Sequence, residues 1–530
     1  MFRTLEPKAT AAGPRYPVFS SGPEESPLAM PRQALEAAPE RIRLSDAAMT
    51  ARRAGLALGS LVIAGVVFGV LFQVLGRDGL TAPEALTILL STTLAGWVGF
   101  GFVSALAGFL AALADPPAAS AEAQDLASVG DLTGRTAILL PAYNEDPGLI
   151  LAAVEAIAAD LARIGRGAPY DFFILSDTRD EAIAQAEATG VLRLRGRLAG
   201  AARVYYRRRV KNVDRKAGNI GDWVERFGAA YDYMLILDAD SLMSGETIVR
   251  LTAAMERQPG LGLLQTAPTI VNAETPFARL QQFASRLYGP VFARGQAWWS
   301  GAEGNYWGHN AIIRVQAFAQ SAGLPHLSGG GPFGGHILSH DFIEAALLRR
   351  AGWAVRTDAS LPGSYEETPP TMLDTAVRDR RWCQGNLQHA RVIGAAGLHW
   401  VSRMHLFRGI FAYLAPALWL VLLVCGAFVW PAQHVARGSL EYREVIAIFG
   451  LTLLLLAAPK AMALALALSQ PSVRAGFGGT ARLCLGVLIE TIASTLTTPV
   501  VMVMQSVAVA EVLLGRDGGW SPQRREGAEL

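Results

Sequence analysis

Blocks of apolar residues at both ends of the chain constrain its fold more than any other feature. Each block holds about 20 or more residues, enough for an α-helix to cross the hydrocarbon core of a bilayer. They are Leu56–Leu75, Ala85–Leu113, Leu406–Trp430, Val445–Leu468 and Leu483–Leu514. The sequence therefore predicts a membrane protein with five spans, or six if the last block divides at Thr497-Thr498-Pro499.

The charges around these blocks predict the orientation of the chain. Arg52 and Arg53 directly precede the first block, and positively charged residues favour the cytoplasmic side of a membrane. Residues 51–115 are expected to form a transmembrane hairpin, which returns the chain to the cytoplasm. The stretch between the two groups of blocks is therefore expected to be cytosolic.

The two ends of the chain are predicted from their composition. Residues 1–50 are rich in Pro, Ala, Arg and Glu and have no apolar core near Met1, so no cleavable signal peptide is expected. We interpret them as a mostly disordered cytoplasmic tail with one short helix around Pro31–Arg43. Residues 403–515 are expected to form a second membrane region of three or four helices, followed by a polar tail at 516–530.

Charge and cysteine content exclude two classes of function. The formal net charge is only +2 in 530 residues, so no basic surface for nucleic acid is indicated. The three cysteines, Cys383, Cys425 and Cys484, are odd in number and widely spaced. They predict neither a disulfide framework nor a zinc site.

Between the membrane blocks, residues 130–402 alternate short apolar strands with helical stretches. The predicted strands are Thr136–Leu140, Phe172–Leu175, Val204–Tyr206 and Met234–Leu237, and the predicted helices include Gly148–Ile164, Arg179–Thr189 and Ser244–Gln258. This alternation predicts a mostly parallel sheet covered on both faces. Ligands of such sheets bind at the carboxyl ends of the strands.

Two aspartates follow one of these strands. Asp238 and Asp240 stand two residues apart at the end of Met234–Leu237, and a strand points such residues to the same side. Carboxylate oxygens are the ligands that Mg²⁺ and Mn²⁺ prefer, and the cation would hold a diphosphate. The alternative is two solvated acids in a turn.

Polar residues after the first two strands are candidates for contacts with a nucleotide. Tyr143 and Glu145 follow the first strand, and Asp177 follows the second. They are suited to a base and ribose, although an aspartate at such a boundary is often only a helix cap. Lys216 lies in a basic stretch before the strand that carries the aspartates. It is either a diphosphate contact or part of a solvated face.

Asp341 opens an apolar helix after a glycine-rich loop. An aspartate at a helix N-terminus is first a capping candidate. It is also suited to act as a general base, because its carboxylate can be ionised and directed into a cleft. His336 and His340 are four residues apart, but no third metal ligand accompanies them.

A basic and aromatic stretch precedes the third apolar block. Arg378 and Arg381 are suited to a diphosphate leaving group as it develops charge, and Trp382 offers a flat face for a sugar ring. The alternative is a basic helix that contacts lipid headgroups. Trp307 and His309 add further surface suited to carbohydrate, although core packing explains them as well.

Taken together, the motifs resemble those of the processive family 2 glycosyltransferases with a GT-A fold, which include cellulose and hyaluronan synthases. Two departures from the cellulose synthase pattern are informative: Ser339-His340-Asp341 replaces Thr-Glu-Asp, and Arg378 replaces the Gln of the Q-x-x-R-W box. With these variants, the chain looks like a member of the glucans biosynthesis glucosyltransferase H family. Longer members continue into further spans, so we expect a short or truncated member.

This resemblance implies an α/β GT-A domain inserted between α-helical transmembrane spans. The implied activity is a processive, inverting transfer of glucose from UDP-glucose, which builds the linear β-1,2-glucan backbone of osmoregulated periplasmic glucans at the bacterial inner membrane. The implied partners are the donor, the growing glucan and the lipid bilayer, with acyl carrier protein reported for some members.

The resemblance also implies a role for each candidate residue. Asp341 would be the general base, and Asp238 and Asp240 would hold the divalent cation. The implied donor-binding residues are Tyr143, Glu145, Asp177, Lys216, Arg378 and Arg381, and the implied acceptor-binding residues are Trp382, Trp307 and His309.

Two alternatives remain from the sequence, and a third is disfavoured. One is a synthase of a cellulose-like β-1,4-glucan or another polysaccharide. The second is a transporter with a soluble regulatory domain, suggested by Lys460 and Glu490 inside apolar blocks, where ionisable groups are costly. A dinucleotide oxidoreductase is disfavoured, because Pro141 follows the first strand where a G-x-G-x-x-G motif would be required.

Overall fold

A computed structural model of the chain describes residues 22–37, 47–77, 79–114, 126, 129–437 and 442–516. Its strands are β1 (Thr136–Ala142), β2 (Tyr170–Ser176), β3 (Arg203–Arg208), β4 (Tyr233–Ile236), β5 (Leu242–Met243), β6 (Leu261–Thr266), β7 (Thr269–Ile270), β8 (Ala311–Arg314), β9 (Ala354–Asp358) and β10 (Ser364–Glu366). The first four confirm the four predicted strands, within a few residues at each end.

The main sheet has seven strands in the order β3-β2-β1-β4-β8-β6-β9. Its pairings are parallel except for β8, which runs antiparallel to both β4 and β6. The predicted mostly parallel α/β sheet is therefore confirmed. A second sheet joins β5, β10 and β7 beside the carboxyl end of β4.

Helices cover both faces of the main sheet. The helices of this part of the chain are α3 (Pro147–Arg163), α4 (Glu181–Leu198), α5 (Arg215–Phe227), α6 (Gly245–Arg257), α7 (Pro276–Ser300), α8 (Val315–Ser321), α9 (His340–Arg350) and α10 (Met372–Gln388). One buried cluster joins the sheet to α3, α4 and α6, and a second joins it to α5, α8 and α9. Burial on both faces explains why β1, β2 and β4 are continuous apolar runs.

The remaining helices are α1 (Ala47–Leu75), α2 (Ala82–Ala114), α11 (Trp400–Arg437), α12 (Tyr442–Ser469), the short α13 (Pro471–Gly476) and α14 (Thr480–Leu513). Among the residues that the structure describes, five helices are long and apolar enough to cross a membrane: α1, α2, α11, α12 and α14. The last apolar block forms one helix despite Pro499. The described residues therefore contain five candidate spans, not six.

Small residues let the α/β domain approach the candidate membrane spans closely. Gly108 of α2 faces α7, where an added Cβ would lie 2.0 Å from the carbonyl oxygen of Val291. Gly295 of α7 faces α2 in turn, where a Cβ would lie 2.1 Å from the carbonyl oxygen of Ser104. Such small-residue contacts are typical of helices packed in a membrane. They fix α7 directly against α2.

A second connection joins α1 to the α/β domain through a cluster of buried charges. Arg53 of α1 donates to Glu303 at 2.5 Å, and Arg349 of α9 lies 3.0 Å from the same carboxylate. All three side chains are nearly inaccessible to solvent. Because two guanidinium groups share one buried carboxylate, removal of Glu303 would leave both buried guanidinium groups without that counter-charge.

The N-terminal segment differs in part from the predicted disordered tail. Residues 22–37 lie in extended form against the catalytic domain, and the part of Pro31–Arg43 that is described is not helical. The backbone of Ser26 exchanges hydrogen bonds with Arg226 and Ala229, and the carbonyl of Leu35 accepts from Ala396. These partners are distant in sequence, so composition did not reveal them. Residues 1–21 and 38–46 lie outside the described residues.

The two ionisable residues in the apolar blocks pair with each other. Lys460 of α12 donates to Glu490 of α14 at 2.7 Å, and the hydroxyl of Tyr288 in α7 donates to the same carboxylate at 2.7 Å. Each of these two ionisable residues therefore has a partner of opposite charge within the apolar helices. The cluster joins three helices.

Candidate active site

A cavity of about 1380 Å³ lies at the carboxyl ends of the main strands and continues between the membrane helices. Eleven of the twelve predicted site residues line it: Tyr143, Glu145, Asp177, Lys216, Asp238, Trp307, His309, Asp341, Arg378, Arg381 and Trp382. Asp240 does not line the cavity and lies beyond Asp238. On the membrane side, α2, α7, α11 and α12 contribute to the walls. The parallel sheet therefore brings together residues that are up to 239 positions apart in the sequence.

The loop after β1 is held by hydrogen bonds to the loop after β2. Asn144 has a positive φ of 52°, and its side chain accepts hydrogen bonds from the backbone of Arg179 and Asp180. Asp146 caps α3 by accepting from the backbone N–H of Gly148 at 2.7 Å. Its neighbour Glu145 faces the cavity. The local capping role therefore belongs to Asp146.

Asp177 forms a two-pronged ion pair at the end of β2. Its two oxygens accept from Arg209 at 2.6 and 2.7 Å, and the carboxylate is almost fully buried. Burial raises the pKa of Asp177, while the Arg209 guanidinium opposes that shift. A ligand at Asp177 would use the remaining lone pairs of the carboxylate.

Lys216 connects Asp238 to Gly308, and Asp341 lies beside the same glycine. The ammonium of Lys216 pairs with Asp238 and donates to the carbonyl of Gly308 at 2.8 Å. A Cβ on Gly308 would lie 3.4 Å from a carboxylate oxygen of Asp341 and 3.7 Å from the Lys216 nitrogen. Gly308 has a φ of +92°, which favours glycine. The proposed base and the strand-end aspartate thus border one small space.

A further carboxylate joins the two strand-end aspartates. Glu366 of β10 lies 3.4 Å from His309. Burial raises the pKa of Glu366; His309 lowers that pKa, and the nearby charges of Asp240 and Asp238 raise it further. Three carboxylates therefore concentrate negative charge at this edge of the sheet.

These carboxylates fit a divalent cation that is bound together with a diphosphate. Carboxylate oxygens are hard ligands, and Mg²⁺ is usually bound by one or two carboxylates together with phosphate oxygens and water. Within the described ranges, no group of three or more His, Cys, Asp or Glu side chains forms a self-contained metal site.

Asp341 lies in the first turn of α9, partly buried. Burial raises the pKa of its carboxyl group, and the adjacent His340 opposes that shift. His340 itself lies 3.0 Å from Glu344, one turn along the same helix. Its partner is thus a carboxylate.

The helix α10 presents its basic and aromatic residues to the cavity. Arg378, Arg381, Trp382 and Asn386 all line it. The Arg378 guanidinium lies 4.4 Å from the centre of the Trp382 ring, so it covers part of that aromatic surface. About half of the Trp382 side chain remains exposed.

A cluster of positive charge surrounds Arg381. Burial lowers the pKa of Arg381, the neighbouring charges of Arg378 and Arg215 lower it further, and Glu145 has the opposite effect. Converging guanidinium groups are suited to a doubly charged phosphate group. This positive cluster and the carboxylates near Asp238 line the same cavity.

Three residues at the site were not singled out from the sequence. Arg215 lies in the basic stretch that contains Lys216, but nothing in the sequence distinguishes it from the other basic residues of that stretch. Arg209 is in the same stretch, and only the fold shows that it pairs with Asp177. Glu366 follows two uncharged residues in a short strand, and nothing in its local sequence marks it.

Comparison with known proteins agrees with this geometry. Residues 137–321 match the family model described as "Glycosyl transferase family 2", and residues 233–467 match "Glycosyl transferase family group 2". The chain is 47% identical over 524 residues to "Glucans biosynthesis glucosyltransferase H" of Xanthomonas campestris pv. campestris (strain B100), covering 96% of this chain and 81% of that relative. The chain belongs to the glucans biosynthesis glucosyltransferase H family.

A second relative supports that assignment. The relative of the same description in Rhodopseudomonas palustris (strain BisA53) is 48% identical over 532 residues, covering 95% of this chain and 72% of the relative. Among solved structures, the chain aligns with S. aureus TarS 1-349 at 10% identity and a TM-score of 0.29, covering 72% of this chain and 92% of that one. A score this low carries no argument about function.

Membership in the family confirms the resemblance found in the sequence. The chain is a membrane-associated glucosyltransferase of glucan biosynthesis with a family 2 catalytic domain. Lys460 and Glu490, which suggested a transporter, pair with each other in a cluster that joins three helices. That pairing leaves the transporter hypothesis without support.

Proposed function

We propose that the chain is a processive, inverting glucosyltransferase of the bacterial inner membrane. It takes glucose from UDP-glucose and builds the linear β-1,2-glucan backbone of osmoregulated periplasmic glucans. The observation that carries the proposal is the shared space between Asp341, Gly308, Lys216 and Asp238. In this proposal, the base Asp341 and the diphosphate of the donor would both lie at that space, as a single displacement requires.

The donor is proposed to lie along the carboxyl edge of the sheet. Tyr143, Glu145 and Asp177 would contact the uridine, since they follow β1 and β2 at one end of the cavity. Lys216, Arg378 and Arg381 would bind the diphosphate. A divalent cation held by Asp238 and Asp240 would neutralise negative charge on the diphosphate when it is bound.

The transfer is proposed to occur in one step. Asp341 accepts the proton of a hydroxyl on the terminal glucose of the growing chain. That oxygen forms a bond to C1 of the donor glucose, from the face opposite UDP. The C1–O bond to the diphosphate breaks, its electron pair stays with UDP, and Arg378 and Arg381 stabilise the departing charge. Inversion converts the α-linked donor into a β-linkage.

The acceptor is proposed to occupy the part of the cavity nearer the membrane. Trp382 offers an exposed aromatic face, and Trp307 and His309 line the cavity beside the carboxylates. The walls then continue along α2, α11 and α12. The growing glucan would therefore extend from the reaction centre toward the apolar helices and the bilayer around them.

The proposal is tested with purified protein in detergent or nanodiscs, supplied with Mg²⁺ and UDP-glucose carrying a radioactive glucose. We expect UDP release together with a labelled polymer, and methylation analysis should yield glucose substituted at position 2. Substitution at position 4 would instead support cellulose-like synthesis. UDP release and polymer with UDP-N-acetylglucosamine, and neither with UDP-glucose, would overturn the proposed donor.

A further inference from the structure

The helix α10 has two faces with different neighbours. Arg378, Arg381, Trp382 and Asn386, which fall within one arc of the helix, line the cavity. The opposite face carries Asp379, Arg380, Cys383 and Leu387. These four residues contact α14, the last candidate membrane span.

Two polar contacts connect α14 to α10. Glu511 of α14 accepts from Arg380 at 3.0 Å, and the Arg380 side chain is mostly buried. Arg380 also donates to the carbonyl of Arg516 at 2.8 Å and lies 3.4 Å from Gln384. Gln505, nearly two turns before Glu511, donates to Asp379 at 3.1 Å.

Apolar packing completes this contact. Ala508, Val509 and Val512 of α14 form a buried cluster with Cys383 and Leu387 of α10. Together with Gln505, the three α14 residues recur at intervals of three and four, so they lie on one side of that helix. The contact is therefore continuous over about two turns.

Asp379 connects the contact with Gln505 to a residue that lines the cavity. Asp379 accepts from Gln505 with one carboxylate oxygen, and its other oxygen lies 3.4 Å from Arg378. Arg378 in turn covers part of the Trp382 ring at 4.4 Å. A chain of contacts thus leads from α14 to two residues that line the cavity.

The other end of α10 is held by different residues. A Cβ on Gly385 would lie 2.3 Å from the Ser339 hydroxyl, next to the start of α9, and Gln388 accepts from the backbone of Leu338 at 3.0 Å. These contacts fix the C-terminal half of α10 relative to Asp341. The turn that carries Arg378 to Trp382 contacts α14 through Asp379 and Arg380, and Tyr413 of α11 packs against the same buried cluster.

We propose that Gln505 and Glu511 are positioning residues for the glucosyl transfer, acting through Asp379 and Arg380. They hold the middle of α10 so that Arg378, Arg381 and Trp382 face the reacting groups. This inference rests on the proposed function, which assigns those three residues to the diphosphate and the acceptor. The last span of the described chain is thereby coupled to the leaving group and the acceptor.

The first test is a charge exchange across the contact, with UDP-glucose as donor. Glu511→Arg and Arg380→Glu each place like charges together, and the double variant restores opposite charges. We expect each single variant to lower kcat between about tenfold and about 100-fold, the scale of a small misplacement. The double variant should recover much of this loss. Affinity for uridine should change little, because the proposed uridine contacts lie on the sheet, whereas affinity for UDP should fall, because Arg378 and Arg381 are proposed to bind its diphosphate.

Gln505→Glu is the matching change at the second contact, since it places a carboxylate against Asp379. Thr495→Ala is the control in the same helix, because the Thr495 hydroxyl is exposed and donates to the carbonyl of Thr491 one turn away. The control should retain wild-type kcat. Wild-type kcat in both Gln505→Glu and Glu511→Arg, or no recovery in the double variant, would overturn the inference.

A second measurement does not depend on the donor. Hydrogen exchange of the backbone amides should become faster in peptides covering Met372–Cys383 in Gln505→Glu and Glu511→Arg, and stay unchanged in β1. Unchanged exchange in α10 would overturn the inference even if activity fell. If wild-type protein releases no UDP from UDP-glucose, the proposed function fails, and the exchange result still decides whether α14 holds α10.

Discussion

Replacing Asp341 with asparagine removes the proposed base while keeping the shape of the side chain. Asparagine occupies nearly the same volume, so the space bordered by Gly308 and Lys216 should be preserved. The position is in the first turn of α9, where asparagine is also tolerated. The substitution therefore tests the chemistry of the carboxylate and leaves the packing largely unchanged.

The expected loss follows from the role of the group. A positioned general base contributes about 10²–10⁴-fold to the rate, which corresponds to about 3–5 kcal/mol of transition-state stabilisation. Burial raises the pKa of Asp341, which makes it a stronger base than a solvated carboxylate. We therefore expect a loss in the upper part of that range. Binding of UDP should be nearly unchanged.

The assay is the initial rate of labelled polymer formation by purified protein at saturating UDP-glucose, with UDP affinity measured in parallel by calorimetry. Asp180→Asn is the matched control, because Asp180 is an exposed aspartate that caps α4 by accepting from the backbone of Ala182 and Ile183. It should retain wild-type transfer. Polymer formation by Asp341→Asn at more than a tenth of the wild-type rate would refute the assignment of the base.

Three further predictions concern pH, the shared space and the membrane cluster. The proposed base must be ionised, and burial raises the pKa of Asp341 above its ordinary value of 3.8. We therefore expect kcat/KM to fall as the pH decreases through that raised pKa. A decrease in kcat/KM that begins only at or below pH 3.8 would contradict this. Gly308→Ala and Gly329→Ala both place a side chain at a φ near +90°, but only Gly308→Ala adds a methyl group beside Asp341. We therefore expect Gly308→Ala to lower the rate of polymer formation by about tenfold or more, and Gly329→Ala to leave that rate unchanged. Lys460→Met leaves Glu490 without its cation and should destabilise the protein by about 1–3 kcal/mol in a thermal unfolding assay. A combined Lys460→Met and Glu490→Leu variant should lose less stability than Lys460→Met alone. An equal or greater loss of stability in the combined variant would count against the pairing.

The first half of the catalytic sheet could be predicted because its physical signal is local. The strands β1, β2 and β4 are apolar runs, since helices cover both of their faces, and each ends at a polar cluster. In contrast, β8 has four residues and β9 carries an arginine and an aspartate. Their places in the sheet depend on pairing with distant strands, which a local pattern does not reveal.

The site was predictable where function requires a rare residue type in a fixed order. Asp238, Asp341, Arg381 and Trp382 follow such an order, and the fold brings all four to one cavity. Glu366 was not predictable, because its role depends only on its distance from His309.

Partners of the N-terminal segment also depend on the fold. Residues 22–37 look like a flexible tail in composition, yet backbone hydrogen bonds to α5 and to the region after α10 hold them. Hydrogen bonds between backbone atoms leave no trace in the side-chain pattern. This explains why the segment was interpreted as disordered.

The stereochemistry of the product tests the central claim most directly. Purified protein would be supplied with UDP-glucose labelled with ¹³C at C1 of the glucose, and the polymer analysed by NMR. The proposed single displacement with Asp341 as base predicts that the labelled carbon becomes a β-anomeric carbon joined to O2 of the next glucose. An α-anomeric signal in the polymer would contradict the account.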